Sequence, residues 1–396
     1  MSRAGDNNKS VAFQFILLMG VVSLFGDITY EGARSITGPY LGMLGATAGM
    51  VGLIAGIGEF SGYALRLLSG YCADRTRAYW PLTILGYGLI LAIPLLALAG
   101  NWQVAAVLVI CERIGKAIRS PARDAILSHA TKQVGRGWGF GIHEAMDQIG
   151  AIAGPLIFTA VIIFNGSYRT GFTILWIPAI LTLAMLMAAR MKVPAPEKLE
   201  TSAAPANASP DGSRLPKVFW LYAAFIFLSV GGFAHFQIIS YHMKARAVIS
   251  DAQIPLFYAI AMGVDGIVAL IVGKTYDRVG LKTLLCIPLL TIPIPFFAFS
   301  LSYGSVLFSI LLWGAVMGVH ETIMRAAIAD LIPIERRGSA YGIFNTVYGI
   351  AFLVGSTLMG FLYEKTPGAI TLFVVLLEAA SVPLLFAVLR EQRCRI

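Results

Sequence analysis

The sequence predicts an all-α polytopic membrane protein, with twelve transmembrane helices arranged as two pseudo-symmetric six-helix bundles. Three observations lead there. Of 396 residues, 57% are hydrophobic and only 13% charged, against roughly 25% charged in soluble domains. The apolar residues fall into runs of about 20, the length of helix that crosses ~30 Å of hydrocarbon. Polar signals then recur at matching places in the two halves of the chain.

Taken in order, the predicted spans are 11–33, 47–70, 79–99, 102–122, 138–164, 170–190, 217–242, 253–273, 281–300, 303–325, 338–363 and 368–390. The first follows MSRAGDNNKS. Its apolar run exceeds a signal-peptide core and has no clear cleavage site, so it reads as a retained helix. Span four begins with the lipid-like run Val104 to Ile110 and continues into Glu112, Arg113, Lys116, Arg119, Arg123 and Asp124. Residues 193–216, rich in Pro, Ala and Ser, read as a flexible cytoplasmic linker. They divide the chain into an N-terminal six-helix bundle, 1–192, and a C-terminal one, 217–396.

Lys and Arg set the orientation. One side collects Arg75, Arg77, Arg119, Arg123, Lys132, Arg136, Arg190, Lys192, Lys198, Arg214, Lys217, Lys274, Arg278, Lys282, Arg336, Arg337 and the tail arginines. The other holds only Arg34, Arg169, Lys244, Arg246 and Lys365. The positive-inside rule therefore places both termini in the cytoplasm. The net charge of +9 reflects these loops and gives no reason to expect nucleic acid. Cys72, Cys111, Cys286 and Cys394 are scattered without metal-ligand spacing, so neither a metal centre nor a structural disulfide is expected.

The halves repeat. Gly70, Asp74 and Arg75 after span two match Gly273, Asp277 and Arg278 after span eight. Arg119 and Asp124 match Arg325 and Asp330, and Gly141 and Gly154 match Gly342 and Gly355. A parallel repeat of two six-helix halves is what alternating access around a central site requires.

On these residues the chain resembles the major facilitator superfamily over nearly its whole length. The family's loop signature is Gly-x-x-x-Asp-Arg followed by Gly and basic residues. The first copy matches except for Thr76 in place of the second Gly, and the second copy adds Gly280 and Lys282. The resemblance implies a cytoplasmic gate at Gly70, Asp74, Arg75, Arg119, Arg123, Asp124, Gly273, Asp277, Arg278, Arg325 and Asp330; helix-end charges in a tight loop are the bland alternative. Span four resembles the signature Arg-x-Gly-Lys-(Gly/Ala)-Ile-Arg-x-Pro-x-Arg-Asp of a bacterial branch of the superfamily. In proton-coupled relatives an arginine of this helix lies near the coupling carboxylate, which points to Arg113; a structural ion pair is the alternative. Gly141, Gly150, Gly154 and Pro155 resemble the helix-interface motif of drug–proton antiporters, although Leu156 to Thr159 replace its final glycines. Such glycines favour export, or serve close helix packing alone.

Charged groups in a bilayer core face a partner or a wet cavity, because exposure there costs roughly 2.5–3.5 kcal/mol each on insertion scales. Asp27 and Glu31 share one face of span one, with Arg34 nearby, and Asp27 lies about 24 Å along that helix. Desolvation and a neighbouring cation act on such a carboxylate in opposite senses, which suits proton coupling. Glu112 and Lys116 are spaced to pair on span four. On span five His143 and Asp147 form one i,i+4 pair and Glu144 and Gln148 the next; His is the residue closest to neutrality in its free state. Asp265 lies mid-span in span eight, with His320 and Glu321 on span ten. Lone His235 and Glu378 read as structural. Tyr30, Trp138, Phe233, Phe236, Tyr258, Trp313 and Tyr341 either wall an amphipathic substrate site or simply pack.

The resemblance thus implies a proton-coupled secondary active transporter of a bacterial cytoplasmic (inner) membrane, exporting a small organic or drug-like molecule. Its cavity would be Asp27, Glu31, Glu112, Arg113, Lys116, His143, Glu144, Asp147, Asp265, His320 and Glu321. The alternatives are an uptake symporter or uniporter for an organic anion, and a transport-inactive membrane sensor of the same fold. With no nucleotide loop, metal cluster or nucleophile–base pair, no enzyme activity and no cofactor is expected; the proton gradient is the energy source. The expected partners are a small-molecule substrate, protons and the lipid bilayer, around a monomer.

Overall fold

The computed structural model describes residues 2–196, 215–332 and 337–393, and among them it is helical throughout, with no strand. The helices are α1 (Ser2–Met43), α2 (Ala48–Thr76), α3 (Tyr79–Gly88), α4 (Ala92–Leu95), α5 (Trp102–Val134), α6 (Arg136–Asn165), α7 (Tyr168–Ile174) and α8 (Trp176–Lys192). After the linker come α9 (Lys217–Gly232), α10 (Phe236–Ala245), α11 (Gln253–Val279), α12 (Cys286–Thr291), α13 (Ile294–Ala298), α14 (Tyr303–Leu331), α15 (Arg337–Lys365) and α16 (Pro367–Arg393). Most of the predicted linker, 193–216, lies outside the described residues.

Helix occupies all twelve predicted places. Among the described residues, ten stretches are long and apolar enough to cross a membrane. One of them, Gln253–Ala298, contains two predicted spans, and Trp102–Val134 misses the criterion because of its charges. The protein is a multi-pass membrane protein. Its exposed Phe164, Leu270, Leu289 and Leu372 would be anomalous on a soluble monomer and here form lipid-facing surface.

Hydropathy marks where lipid is crossed, and helices run past it. α1 continues to Met43 and α5 to Val134, beyond the predicted ends at 33 and 122. Four predicted spans are also interrupted; the sixth divides at Leu175 into α7 and α8. The third passes through 3₁₀ turns on either side of α4, where Pro94 cannot donate a backbone hydrogen bond. The ninth is broken into α12 and α13 around Pro288, Pro293 and Pro295. The seventh stops at Gly231-Gly232 and is extended at Phe233 and His235 before α10 begins. The Trp313 indole donates to the Ala234 carbonyl at 2.8 Å, satisfying a group that the break frees.

The described residues fall into two compact units. One comprises those of Met1–Arg34 and Leu65–Asn207, the other those of Ser35–Ala64 and Ala208–Ile396. In the first, Phe15 meets Trp80 edge-on at 6.1 Å above Ile126, Leu127 and Leu186. In the second, Tyr222, Phe225, Leu284 and Met324 are fully buried, and the Tyr222 hydroxyl donates to the Met324 carbonyl at 2.7 Å. The second unit also takes in the α1–α2 turn, whose Gly49 amide donates to Glu364 Oε1 of α15 at 2.8 Å. That carboxylate sits on the positive end of α2.

One crossing occurs in both units. A Cβ at Gly154 of α6 would lie 2.4 Å from the Ile28 carbonyl oxygen and 2.8 Å from the Gly32 amide nitrogen, both of α1. A Cβ at Gly355 of α15 would lie 2.2 Å from the Gly231 oxygen of α9. Only residues without a side chain let helix backbones approach this closely.

Candidate functional site

The first unit gathers a polar cluster from three helices. α1 presents Ser23, Asp27, Tyr30, Glu31 and Arg34, spaced by three or four residues so that they follow one face. α5 presents Glu112, Arg113, Lys116, Arg119 and Arg123 on the same logic. α6 supplies His143 and Asp147. The Gly154 crossing, with Gly150 pressed to within 3.0 Å of Asp27 Cβ for a built Cβ, holds α6 against this face of α1. Gly141, by contrast, has open space around it.

Tyr30 is the centre of the upper part. Its hydroxyl accepts a hydrogen bond from Arg113 Nη1. Lys116 Nζ lies 4.0 Å from the ring centroid, the Arg113 guanidinium carbon 4.4 Å, and that of Arg34 5.9 Å, all within cation–π range. Glu31 pairs with Arg34 at 3.6 Å. Glu112 is bridged by Arg119 at 3.3 Å, with side-chain exposures of only 1% and 3%. The ion pair expected with Lys116 is therefore made with Arg119: Lys116 turns onto Tyr30, and Arg119, read as a gate residue, reaches back two turns into the buried cluster. Arg119 also lies over the Tyr87 ring, at 4.8 Å.

Asp27 stands between this group and a second one. The charged side chains acting on it are Asp147, Lys116, Glu31 and Arg119. Asp147 Oδ2 is 3.5 Å from His143 Nδ1, while Oδ1 has no hydrogen bond. His143 Nε2 is 3.0 Å from Ser23 Oγ, to which Arg123 also donates at 3.3 Å. Arg123 then pairs with Asp124 at 2.8 Å. The result is a continuous polar line, Asp147–His143–Ser23–Arg123–Asp124, leading from beside Asp27 toward the far end of α5. Glu144, on the neighbouring face of α6, is exposed.

The remaining predicted residues are placed as follows. In the second unit Asp265 and His320 are buried. Gly318 of α14 fits against Asp265, and His320 meets Phe233 at 5.1 Å and Tyr348 at 6.4 Å. Glu321 is exposed. Phe233, Phe236, Tyr258 and Trp313 form one buried stack with centroids 4.6–6.0 Å apart, so these aromatics pack on each other, whereas Trp138 is exposed. Near the loop signature, Ser69 donates to the Ala117 carbonyl at 2.7 Å, tying α2 to α5 just before Gly70. Asp74 and Arg75 are exposed, and Arg75 donates to the Tyr71 hydroxyl at 2.8 Å. Gly273 packs near Thr322, Asp277 and Arg278 are exposed, and Asp330 accepts from Tyr276 at 2.6 Å. The Arg325 side chain lies outside the described residues.

The line of polar side chains, the repeated crossing and the paired loop signatures call for comparison with known transporters. The family model for the Major Facilitator Superfamily matches residues 16–356 and again 241–393. The chain belongs to the Major Facilitator Superfamily. Among its superfamily relatives, an uncharacterized protein of Mycobacterium tuberculosis is 42% identical over 98% of this chain and 96% of its own length. An uncharacterized MFS-type transporter of Methanocaldococcus jannaschii is 27% identical over 93% and 92%. The crystal structure of the nucleoside transporter NupG superposes with a TM-score of 0.72, covering 95% of this chain and 98% of that one at 14% identity. That likeness concerns the superfamily fold. The protein is thus a transporter by family.

Ser23 and Tyr87 complete the cluster without having been singled out, and Tyr30, read only as a wall of a substrate site or as packing, stands at its centre. Ser23 was recoverable, since it lies one turn before Asp27 on the same face. Tyr87 sits in an apolar span with no local signal.

Proposed function

We propose that the protein is a proton-coupled secondary active transporter, working by alternating access and exporting a small organic or drug-like molecule. The observation that carries this reading is the charge balance of the buried cluster. Arg34, Arg113, Lys116 and Arg119 face Asp27, Glu31, Glu112 and Asp147, cation for carboxylate. In a low-dielectric site a single added charge is felt by every member. A proton taken up by Asp27 or Asp147 leaves one cation without a counter-charge, and the site then repels a cationic solute. Loss of that proton restores the balance and admits it. This alternation is what exchange of a cation for a proton needs. His143 and Ser23 supply groups along which the proton moves toward the cytoplasmic face, where both termini lie; Asp124 is the carboxylate able to receive it, and Arg123, which cannot give up its own proton, holds Ser23 and Asp124 in line. The halves 1–192 and 217–396, joined by the cytoplasmic linker, would move as the two bodies of the cycle, within a monomer.

A second reading, uptake of an organic anion, is favoured by the three cations gathered around Tyr30. It predicts that protonation attracts the solute.

Proteoliposomes with an entrapped pH dye separate these readings. They are challenged with cationic, neutral and anionic compounds, nucleosides included. A pH change driven by a cationic compound and lost in Asp27→Asn supports exchange. One driven by an anion and lost in Arg113→Gln supports uptake. Absence of any compound-dependent flux, with binding still visible as thermal stabilisation, overturns proton coupling.

A further inference from the structure

The second unit contains a carboxyl group that the cluster above does not use. Glu378 lies near the middle of α16 and is completely buried. Its Oε1 has no hydrogen bond, and its Oε2 lies 3.5 Å from the Ser381 hydroxyl. Across the interface it meets the end of α9. A Cβ at Gly232, the last residue of α9, would come within 3.2 Å of Glu378 Oε1. The Ser229 hydroxyl, one turn earlier, is fully buried, makes no hydrogen bond and faces the same carboxyl. Those two serines are the polar groups that act on Glu378; among the described residues no charged side chain does, from α16 itself or from α9, α12, α13 or α15 packed against it.

A bare carboxylate at this depth, without a cation, is among the most costly placements a membrane protein can make. The hydrogen-bond geometry fits a neutral acid. Ser381 donates to the Glu378 main-chain carbonyl at 2.8 Å and reaches the carboxyl Oε2 only at 3.5 Å, so it is a weak donor to an ionised carboxylate. Ser229 Oγ is a vacant acceptor. A protonated Glu378 can donate to either serine oxygen, whereas an ionised one would have the Ser229 hydroxyl as its one uncommitted donor and, among the described residues, no cation beside it. A monovalent metal ion fits less well, because hard cations gather about six or more oxygens and the site offers one carboxyl and two hydroxyls.

We propose that Glu378, with Ser229 and Ser381, is a proton-binding site of the second unit, separate from the Asp27–Asp147 cluster. It is loaded while α9 ends against it, and it releases its proton when movement at the Gly232–His235 break admits water. Its place in a transport cycle rests on the proton-coupled reading; its occupancy does not.

Infrared spectroscopy of the full-length protein in detergent tests this directly, with protons and sodium as the probes. The wild type should show, at neutral pH, a protonated-carboxyl C=O band that shifts in heavy water. Glu378→Gln should lose one acid's share of that band while keeping its melting temperature, since the amide mimics the neutral acid. Asp27→Asn and Asp147→Asn should retain that share. Should Glu378→Gln not fold, Ser229→Ala provides the second variant: it should move the band without abolishing it. On titration to alkaline pH the component should disappear before the protein unfolds. Identical spectra for wild type and Glu378→Gln overturn the proposal. So does a component that sodium chloride abolishes at constant pH, which marks a cation site, or one that persists until unfolding, which marks a structural acid. Proton flux without a Glu378 component would sink this inference alone, and a titrating component without flux would sink the coupling reading alone.

Discussion

Glu112 and Arg119 show what a single side chain decides in this protein. They are bonded at 3.3 Å with almost no solvent contact. Removing one partner from a buried pair leaves the other charge uncompensated and costs about 3–5 kcal/mol, whereas removing both costs far less. Glu112→Gln and Arg119→Gln should therefore each lower the thermal stability of the detergent-solubilised protein sharply, and the double variant should recover much of the loss. Additive losses in that double-mutant cycle would mean the pair is not coupled. Tyr30 offers a milder test. Tyr30→Phe keeps the ring beneath Lys116 and Arg113 but removes the acceptor used by Arg113. A hydrogen bond to a charged group is worth roughly 1.5–3 kcal/mol, so the melting temperature should fall by less than in Tyr30→Ala, which loses the ring as well. The charged members of this cluster were legible in the sequence because charge in a lipid-length helix has no other explanation. Their pairing was not. Glu112 at i,i+4 from Lys116 and i,i+7 from Arg119 has two partners within reach, and the Tyr30 ring, contributed from another helix, decides between them.

At the level of the element, the crossings of α6 on α1 and of α15 on α9 carry the most specific expectation. Gly154→Leu would drive a side chain into the Ile28 carbonyl and the Gly32 amide. Both are backbone, which cannot rotate away as a side chain can. Overpacking typically costs about 1–3 kcal/mol, and here a whole helix must shift. The melting temperature and the yield of folded protein should both drop for Gly154→Leu and Gly355→Leu, while Gly141→Leu, with nothing within 4 Å of its built Cβ, should behave as wild type. Equal behaviour of Gly141→Leu and Gly154→Leu would contradict the crossing. Glycine spacing made these crossings readable, since small residues four apart have few other uses in a membrane helix. The interruptions in the third, sixth, seventh and ninth spans were not read. A 20-residue window averages over Pro94, Gly231-Gly232 and Pro293, and only the neighbouring helices show that the freed backbone groups, such as the Ala234 carbonyl, find partners.

For the molecule as a whole, twelve spans and a two-half repeat could be read because bilayer thickness fixes helix length and gene-like repetition fixes order. Which side of the membrane each loop occupies follows from Lys and Arg alone and awaits measurement. Cys72 reports on it. It is exposed near the end of α2, two residues before Asp74, on the side that the basic residues assign to the cytoplasm. Cys111 and Cys286 are only partly exposed and, with Cys394, can be replaced by serine to leave Cys72 as the sole thiol. A membrane-impermeant maleimide should then label inverted vesicles and spare intact cells stripped of their outer membrane. The opposite pattern would turn the whole bundle over. It would place the polar line ending at Arg123 and Asp124 at the outer face, so that protons would enter the cluster along it rather than leave by it, while exchange against an inward proton gradient would still drive the solute out. The chemistry of coupling, exchange or co-transport, thus decides the sign of transport, and this labelling experiment fixes which end of the polar line meets the cytoplasm independently of any substrate.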